Sequence, residues 1–261
     1  MNQCLQDLLD LIREQILFNQ NFISSHKKKI LIQVHDEILW LLQYAVNNTQ
    51  AIIYLAKNDC SNNYSLVHSA FVIARVVMET NARICWLLQP EDIDVRIARY
   101  ISLLEKELTG IGEFKKYYDF SEDQTTGVDQ RIESRKDYIK NLKSAVLESK
   151  SFEALDLQDL LKSNELPRDF KIIKSVYADK LSFLQFDYLF LSKFVHSMPD
   201  VIYPLTHESQ DLSHDWDTPF SVCFRTLVIC SDKLFDRFDI NSADFLAKLI
   251  PIELEFHKSR Q

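Results

Sequence analysis

The sequence contains very little glycine, and this scarcity restricts both its fold and its chemistry. Only three glycines occur in 261 residues, Gly110, Gly112 and Gly127, and no Asn-Gly, Asp-Gly or Gly-Gly pair is present. Because two-residue hairpin turns need residues with positive φ, a fold built from many tight hairpins is excluded. Neither a Walker motif nor the G-x-G-x-x-G fingerprint can be written with these glycines, so P-loop and Rossmann nucleotide sites are excluded as well.

Motifs for metal or covalent chemistry are also missing. The sequence has no HExxH, no repeated ExxH, no Cys/His cluster with zinc spacing and no G-x-S-x-G elbow, so we expect no metal and no cofactor. The pair His35-Asp36 resembles the start of an HD phosphohydrolase motif, but further ligands cannot be assigned, and we expect both side chains to lie on the surface in contact with water. The cysteines lack CxxC spacing and mostly lie in apolar helical patterns, which predicts reduced, buried thiols in a cytoplasmic protein: Cys4, Cys60, Cys85, Cys223 and Cys230.

The net charge of -8 argues against a broad basic surface for double-stranded nucleic acid, although a local basic groove remains compatible with it. The first fifteen residues mix acids with leucines and do not resemble a signal peptide. The most apolar stretches, 67–88 and 181–205, are interrupted by charged side chains. We therefore expect no membrane span and a cytoplasmic location.

Apolar side chains recur at helical spacing along most of the chain, which predicts an all-α, multi-helix bundle. A single domain, 1–261, is expected, with its core in 26–109 and 180–256 and with 110–179 as a loop plus peripheral helices. A central pair of apolar helices is expected at 64–89 and 181–196. The other predicted helices are 3–22, one capped by Ser24 or Ser25 and reaching Asn58, 91–108, 128–149, 220–238 and 243–256, with short segments at 155–161 and 169–177.

The predicted breaks in this pattern lie at glycine and proline. The helix that starts near Glu91 is expected to end at Gly110, and the stretch from Gly110 to Gly127 to form a loop or boundary. The polar helix 128–149 has only a narrow apolar stripe and is expected to project from the bundle. Pro90 should end the third helix, and Pro251 should kink or break the last one.

The helix 64–89 carries a polar strip on an otherwise apolar surface. At about 100° per residue, His68, Arg75, Glu79 and Arg83 fall within one narrow arc. If the strip meets solvent, its i,i+4 ion pairs are worth only ~0.3 to 0.5 kcal/mol each. If it faces a cleft, the desolvated arginines need Glu79 or a phosphate as partner, because an unpaired buried charge costs several kcal/mol.

A second polar strip lies on the helix 181–196. Gln185, Ser192 and His196 occupy one side of this apolar helix, with Tyr188 at the edge. A lone helical histidine is more often a structural donor than a catalyst, although its pKa suits acid–base work. If the two strips face each other, they form one polar pocket inside the bundle: His196, Tyr188, Arg75, Glu79 and Arg83.

Two segments together resemble a known family. They are FVIARVVMETNARICWLLQPEDIDVRIARYISLLEKEL and, downstream, DYLFLSKFVHSMPDVIY. Their R-x-x-x-E-x-x-x-R, W-L-L-x-P, R-x-x-R-Y and Y-x-x-x-S-x-x-x-H motifs resemble those of bacterial helical proteins of unknown function, over residues 60 to 205. That family is distantly similar to the HEPN superfamily of helical nucleases, toxins and defence proteins, which cleave RNA without metal using arginine and histidine.

The resemblance implies a stress or phage-defence protein that binds or cleaves RNA. The implied catalytic residues are His196, Arg75, Glu79 and Arg83, and the implied substrate-binding residues are Arg96, Arg99, Tyr188 and Ser192. A partner protein or antitoxin and a homodimer are also implied. The sequence departs from the HEPN pattern because no arginine stands four to six residues before His196, and the nearby Lys193 points about 60° away around the helix axis.

The alternative hypothesis is a non-catalytic interaction or regulatory protein whose polar strips only satisfy its core. The acidic balance, the 17 phenylalanines and the missing arginine–histidine spacing favour it. In that case Arg75 and Glu79 should be coupled structurally.

Overall fold

The computed structural model describes residues 2–17, 29–59, 64–117, 121–150, 154–178, 182–195, 216–238 and 243–259. These residues form helices joined by short turns, with no strand among them, so the predicted all-α bundle is confirmed. The helices are α1 (Asn2–Ile12, continued by a π-helical turn, Arg13–Leu17), α2 (Lys29–Lys57), α3 (Tyr64–Leu88), α4 (Ile93–Tyr117), α5 (Glu122–Lys150), α6 (Ala154–Ser163), α7 (Asp169–Tyr177), α8 (Ser182–Val195), α9 (Asp217–Arg237) and α10 (Ala243–Lys258).

The first of two compact units comprises Met1–Lys27, His35–Leu88 and Asp169–Gln261. Within it, α3 packs against α9, α8 and α7, while α1 packs against α10 and α9. Two polar contacts tie α3 to α9: Asn81 Nδ2 donates to Thr226 Oγ1 at 3.1 Å, and Arg237 Nε donates to the carbonyl of Leu88 at 2.8 Å. The second contact satisfies a carbonyl that the end of α3 leaves without an intrahelical donor.

The second compact unit comprises Lys28–Val34 and Gln89–Arg168, and in it α4 packs against α5 and α6. The narrow apolar stripe predicted for the polar helix is buried, through Ile139, Leu142 and Val146. An ion pair between Arg135 and Glu107, 2.9 Å long, lies between α4 and α5. The assignment of the whole chain to one domain stays a prediction.

The predicted break at the glycines is wrong. Helix α4 continues through Gly110 and Gly112 to Tyr117, and α5 begins at Glu122 and includes Gly127. None of the three glycines has a positive φ, and a Cβ added at any of them would meet no atom within 4 Å. Each glycine costs its helix only about 1 kcal/mol relative to alanine, a penalty that packing along helices of 25 and 29 residues offsets.

One of the two prolines predicted to interrupt a helix follows a helix end, and the other lies inside an unbroken helix. Helix α3 ends at Leu88, two residues before Pro90, as predicted. Helix α10, by contrast, does not break and contains Pro251 in its interior. The first predicted helix changes from α to π at Arg13, and its end after Leu17 lies outside the described residues, as does the predicted cap at Ser24 or Ser25.

Candidate functional site

The polar strip of α3 meets Tyr188 of α8. Arg75 Nε donates to Glu79 Oε1 at 2.8 Å, one helical turn along. The Tyr188 hydroxyl donates to the same Glu79 oxygen at 3.3 Å and accepts from Arg75 Nη2 at 3.4 Å. The Arg75 guanidinium also lies over the Tyr188 ring, 5.2 Å from its centroid. Two helices that are distant in sequence therefore form a three-residue polar network, which we call the Arg75 cluster (Arg75, Glu79 and Tyr188).

The Arg75 cluster is largely shielded from solvent. The side chains of Arg75 and Glu79 are each only 16% exposed, and Tyr188 is buried. Arg75 Nη1 is buried and has no hydrogen-bond partner within the described part of the chain. Removing charges from water is expensive, so the close contact between Arg75 and Glu79 is what makes their position on an apolar helix tolerable.

Burial and nearby charge shift the pKa values of Arg75 and Tyr188 in this cluster. Burial by itself lowers the pKa of Arg75, but the hydrogen bond and charge of Glu79, with a smaller effect of Tyr188, outweigh it and raise the pKa. Burial and the charge of Glu79 raise the pKa of Tyr188, against the opposing influence of Arg75. Both shifts favour the guanidinium form of Arg75 and the neutral phenol form of Tyr188.

Two residues of α7 that the sequence analysis did not predict, Asp169 and Phe170, contact the polar strip of α3 and Tyr188. Asp169 Oδ1 accepts from both Nε and Nη2 of Arg83, at 3.2 and 2.9 Å. The ring of Phe170 stacks on that of Tyr188, with centroids 6.0 Å apart. Asp169 stands in the first turn of its helix, a common place for an acid, so nothing in the sequence marked it as the partner of Arg83.

The other predicted site residues are not members of the Arg75 cluster. His68 on α3 and Ser192 on α8 are half-buried. Arg96 and Arg99 lie on α4, in the second unit, where burial lowers the pKa of Arg99. His196 lies outside the described residues. The structure thus brings Arg75, Glu79 and Tyr188 together, places Arg83 beside Asp169, and leaves the position of His196 a prediction.

Helix α8 is less enclosed than its sequence predicts. Leu184 and Leu191 are buried, and Phe190 packs edge-on against Phe71 of α3, with ring centroids 5.8 Å apart. A central helix would bury Phe186 and Leu189, but these side chains are 69% and 51% exposed. The side of α8 opposite the Arg75 cluster is therefore apolar and accessible.

No group of three or more His, Cys, Asp or Glu side chains suited to a metal ion occurs among the described residues. In the same ranges, no helix combines the length and the apolar character that crossing a bilayer requires.

Comparison with known proteins gives a family and no function. No curated protein and no solved structure matches this chain. A model of one family of unknown function matches residues 35–212, a range that contains α3, α8 and both segments in which the sequence resembles a helical family. The chain therefore belongs to the family of unknown function DUF5677.

Proposed function

We propose that this protein is an HEPN-like effector of bacterial stress or phage defence that binds RNA, and cleaves it without a metal ion, at the Arg75 cluster. The observation that carries the proposal is the state of the Arg75 guanidinium. Glu79 and Tyr188 hold it from two sides, yet the N–H groups of its Nη1 atom have no acceptor within the described residues. A guanidinium that Glu79 and Tyr188 hold in place suits a phosphodiester oxygen, which accepts charge-assisted hydrogen bonds, once substrate binding uncovers the buried Nη1 atom.

The proposed reaction divides its tasks between Arg75 and His196. The ribose 2′-oxygen attacks phosphorus and loses its proton, while the bond from phosphorus to the 5′-oxygen breaks and that oxygen gains a proton. His196 accepts the proton from the 2′-oxygen and delivers it to the departing 5′-oxygen, and Arg75 stabilises the negative charge that develops on the phosphoryl oxygens. Glu79 acts as a positioning residue, because its Oε1 atom is already engaged by Arg75 and Tyr188.

The experiment measures binding and cleavage of a 5′-labelled single-stranded RNA of mixed sequence, in EDTA, by the full chain. We expect cleavage by the native protein and at least a hundredfold loss in Arg75→Lys, because lysine cannot reproduce the planar set of donors. We expect complete loss in His196→Ala. Arg135→Lys is the matched control, since Arg135 forms a comparable pair with Glu107 in the other unit, and its activity should equal the native one.

Two results would refute the nuclease proposal. One is the absence of both RNA binding and cleavage in the native protein at micromolar concentration. The other is cleavage that survives equally in Arg75→Lys and His196→Ala. Thermal melts of every variant separate a loss of activity from a loss of folding.

A non-catalytic interaction or regulatory role is the second candidate, and one observation favours it. Both arginines of the α3 strip are already matched by carboxylates, Arg75 by Glu79 and Arg83 by Asp169. Such compensation leaves no net positive charge to attract RNA. Both accounts expect variants of Arg75 to lower stability, because Glu79 then loses its partner. They differ in RNA affinity, which stays unchanged on this account and falls on the nuclease proposal.

A further inference from the structure

One side of α2 is aromatic, uncharged and open to solvent. Trp40 is 72% exposed, Tyr54 66% and Tyr44 52%, and Asn47 between them is also exposed. The opposite side is buried through Ile38, Leu42, Ala45, Val46, Thr49, Ile52 and Ile53. At about 100° per residue, the four exposed side chains lie within one arc of roughly 80°. They define a continuous stripe, which we call the α2 stripe (Trp40, Tyr44, Asn47 and Tyr54).

The α2 stripe lacks the charges that an exposed helix surface usually carries. From Ile38 to Ala56, nineteen consecutive positions, the sequence contains no Asp, Glu, Lys or Arg, although these make up 26% of the chain. Solvent-facing helical positions normally hold such residues. A charge-free aromatic surface of this length therefore indicates a protein–protein contact.

The row of side chains along α2 is complementary to the same row on a second copy of the helix that runs antiparallel. Starting at Asp36, positions spaced alternately by four and three carry Asp36, Trp40, Gln43, Asn47, Gln50, Tyr54 and Lys57. If a second copy of the helix runs antiparallel, with the two-fold axis at Asn47, then Trp40 faces the partner's Tyr54 and Asp36 faces the partner's Lys57. Gln50 lies at the edge of this row, and its Nε2 atom donates a hydrogen bond to Oε1 of Gln6 on α1 at 3.1 Å.

A pocket lies where this pairing places an aromatic ring. It has a volume of about 210 Å³ and is lined by Asp36, Leu39, Trp40 and Gln43. These four positions, at i, i+3, i+4 and i+7, are those that form a hole for one inserted side chain in helix–helix packing. The antiparallel pairing directs the partner's Tyr54 to this hole, where Asp36 and Gln43 can accept a hydrogen bond from its hydroxyl.

We propose that the α2 stripe is the interface of a homodimer, in which the two α2 helices pack antiparallel about Asn47. The exposed parts of the three aromatic side chains alone amount to roughly 400 Å², about half of what a standard interface buries on each partner. The absence of acidic residues on the stripe matters because each copy has a net charge of -8. A central asparagine pair fixes register and stoichiometry, as polar core residues do in coiled coils.

The experiment exploits the position of Asn47 on the two-fold axis. Sedimentation equilibrium should give twice the chain mass of 30.6 kDa for the native protein. Asn47→Asp and Asn47→Lys should each be monomeric at the same concentration, because like charges then meet at the axis. Mixing the two variants in equal amounts should restore the dimer. Asn141→Asp and Asn141→Lys, exposed on α5, are the matched controls and should stay dimeric.

A second measurement needs no substitution. Trp86 and Trp216 are buried, so Trp40 is the solvent-exposed indole of the monomer, and its emission should move to shorter wavelength as the protein concentration rises through the dimer dissociation constant. A native protein that is monomeric at 100 μM overturns the proposal, whether another partner or the chain itself covers the stripe. A dimer that persists in both Asn47 variants, or one that mixing does not restore, overturns it as well.

Discussion

The hydroxyl of Tyr188 on α8 lies 3.3 Å from Oε1 of Glu79 on α3, although 109 positions separate the two residues. Glu79 Oε1 also accepts from Arg75, so a single carboxylate oxygen joins the two helices. Because all three side chains are largely shielded from water, each depends on the others to satisfy its polar groups. This dependence can be measured as a coupling free energy.

Removing one member of the Arg75–Glu79 pair should cost more than a surface ion pair does. We expect Arg75→Met and Glu79→Met each to lower the free energy of unfolding by about 2 kcal/mol, because the remaining charge loses its partner in a poorly solvated place. The double variant should lose clearly less than the sum of the two. Urea unfolding measures all three, and simple additivity would contradict the coupling.

The exposed pair Arg135 and Glu107 provides the control for that cycle. The side chains are 28% and 42% exposed, and their nitrogen and oxygen atoms are 2.9 Å apart. The same methionine substitutions there should each cost less than about 1 kcal/mol, with a coupling near zero.

Tyr188→Phe should separate the hydroxyl from the ring. The substitution removes the hydrogen bonds to Glu79 and Arg75 but keeps the stacking on Phe170 and the contact of the ring with the guanidinium. We expect a loss of about 1 kcal/mol in unfolding free energy, against about 3 kcal/mol or more for Tyr188→Ala, which also removes the buried ring. Equal losses in the two variants would show that the hydroxyl carries the contribution of the side chain.

Periodicity predicted which side chains of α3 share a face, but it could not predict what that face meets. The arc of Arg75, Glu79 and Arg83 follows from the 3.6-residue turn of one helix, which is a local property. The contact with Tyr188 and the pairing of Arg83 with Asp169 depend on how separate helices pack. No pattern within one segment encodes such a relationship, which explains why Tyr188 was predicted only at the edge of its strip and Asp169 not at all.

The error at the glycines has a different origin. A glycine is only a weak local signal to end a helix, and Gly110 and Gly127 lie inside helices where nothing requires their freedom. Gly110→Ala and Gly127→Ala should therefore each raise the free energy of unfolding by about 0.5 to 1 kcal/mol. Thermal or urea unfolding tests this. Ala247→Gly, the reverse substitution at an exposed position of α10, is the control and should lower the free energy of unfolding by a similar amount.

The buried thiol of Cys223 should make the protein lose stability in alkali. Burial raises its pKa from an ordinary value near 9 to about 12, with a smaller opposing effect of its hydrogen bond to Thr49. Above pH 9 the thiol of the unfolded chain ionises while that of the folded chain does not, so the unfolded state binds fewer protons and the free energy of unfolding falls as pH rises. Over the window from pH 9 to 12 this one group contributes a slope of up to about 1.4 kcal/mol per pH unit.

Cys223→Ala tests this contribution directly. The variant should be less stable at pH 8, because it loses a buried sulfur atom, but its unfolding free energy should decline less steeply than that of the native protein between pH 9 and 12. Val222→Ala, the neighbouring buried position, should lower stability by a similar amount at every pH and leave the slope unchanged, because valine does not ionise. Urea unfolding under reducing conditions at half-unit steps of pH gives both curves. Parallel curves for Cys223→Ala and the native chain would mean that the thiol reaches solvent before the chain unfolds, since only a group that stays protonated in the folded state contributes to the slope.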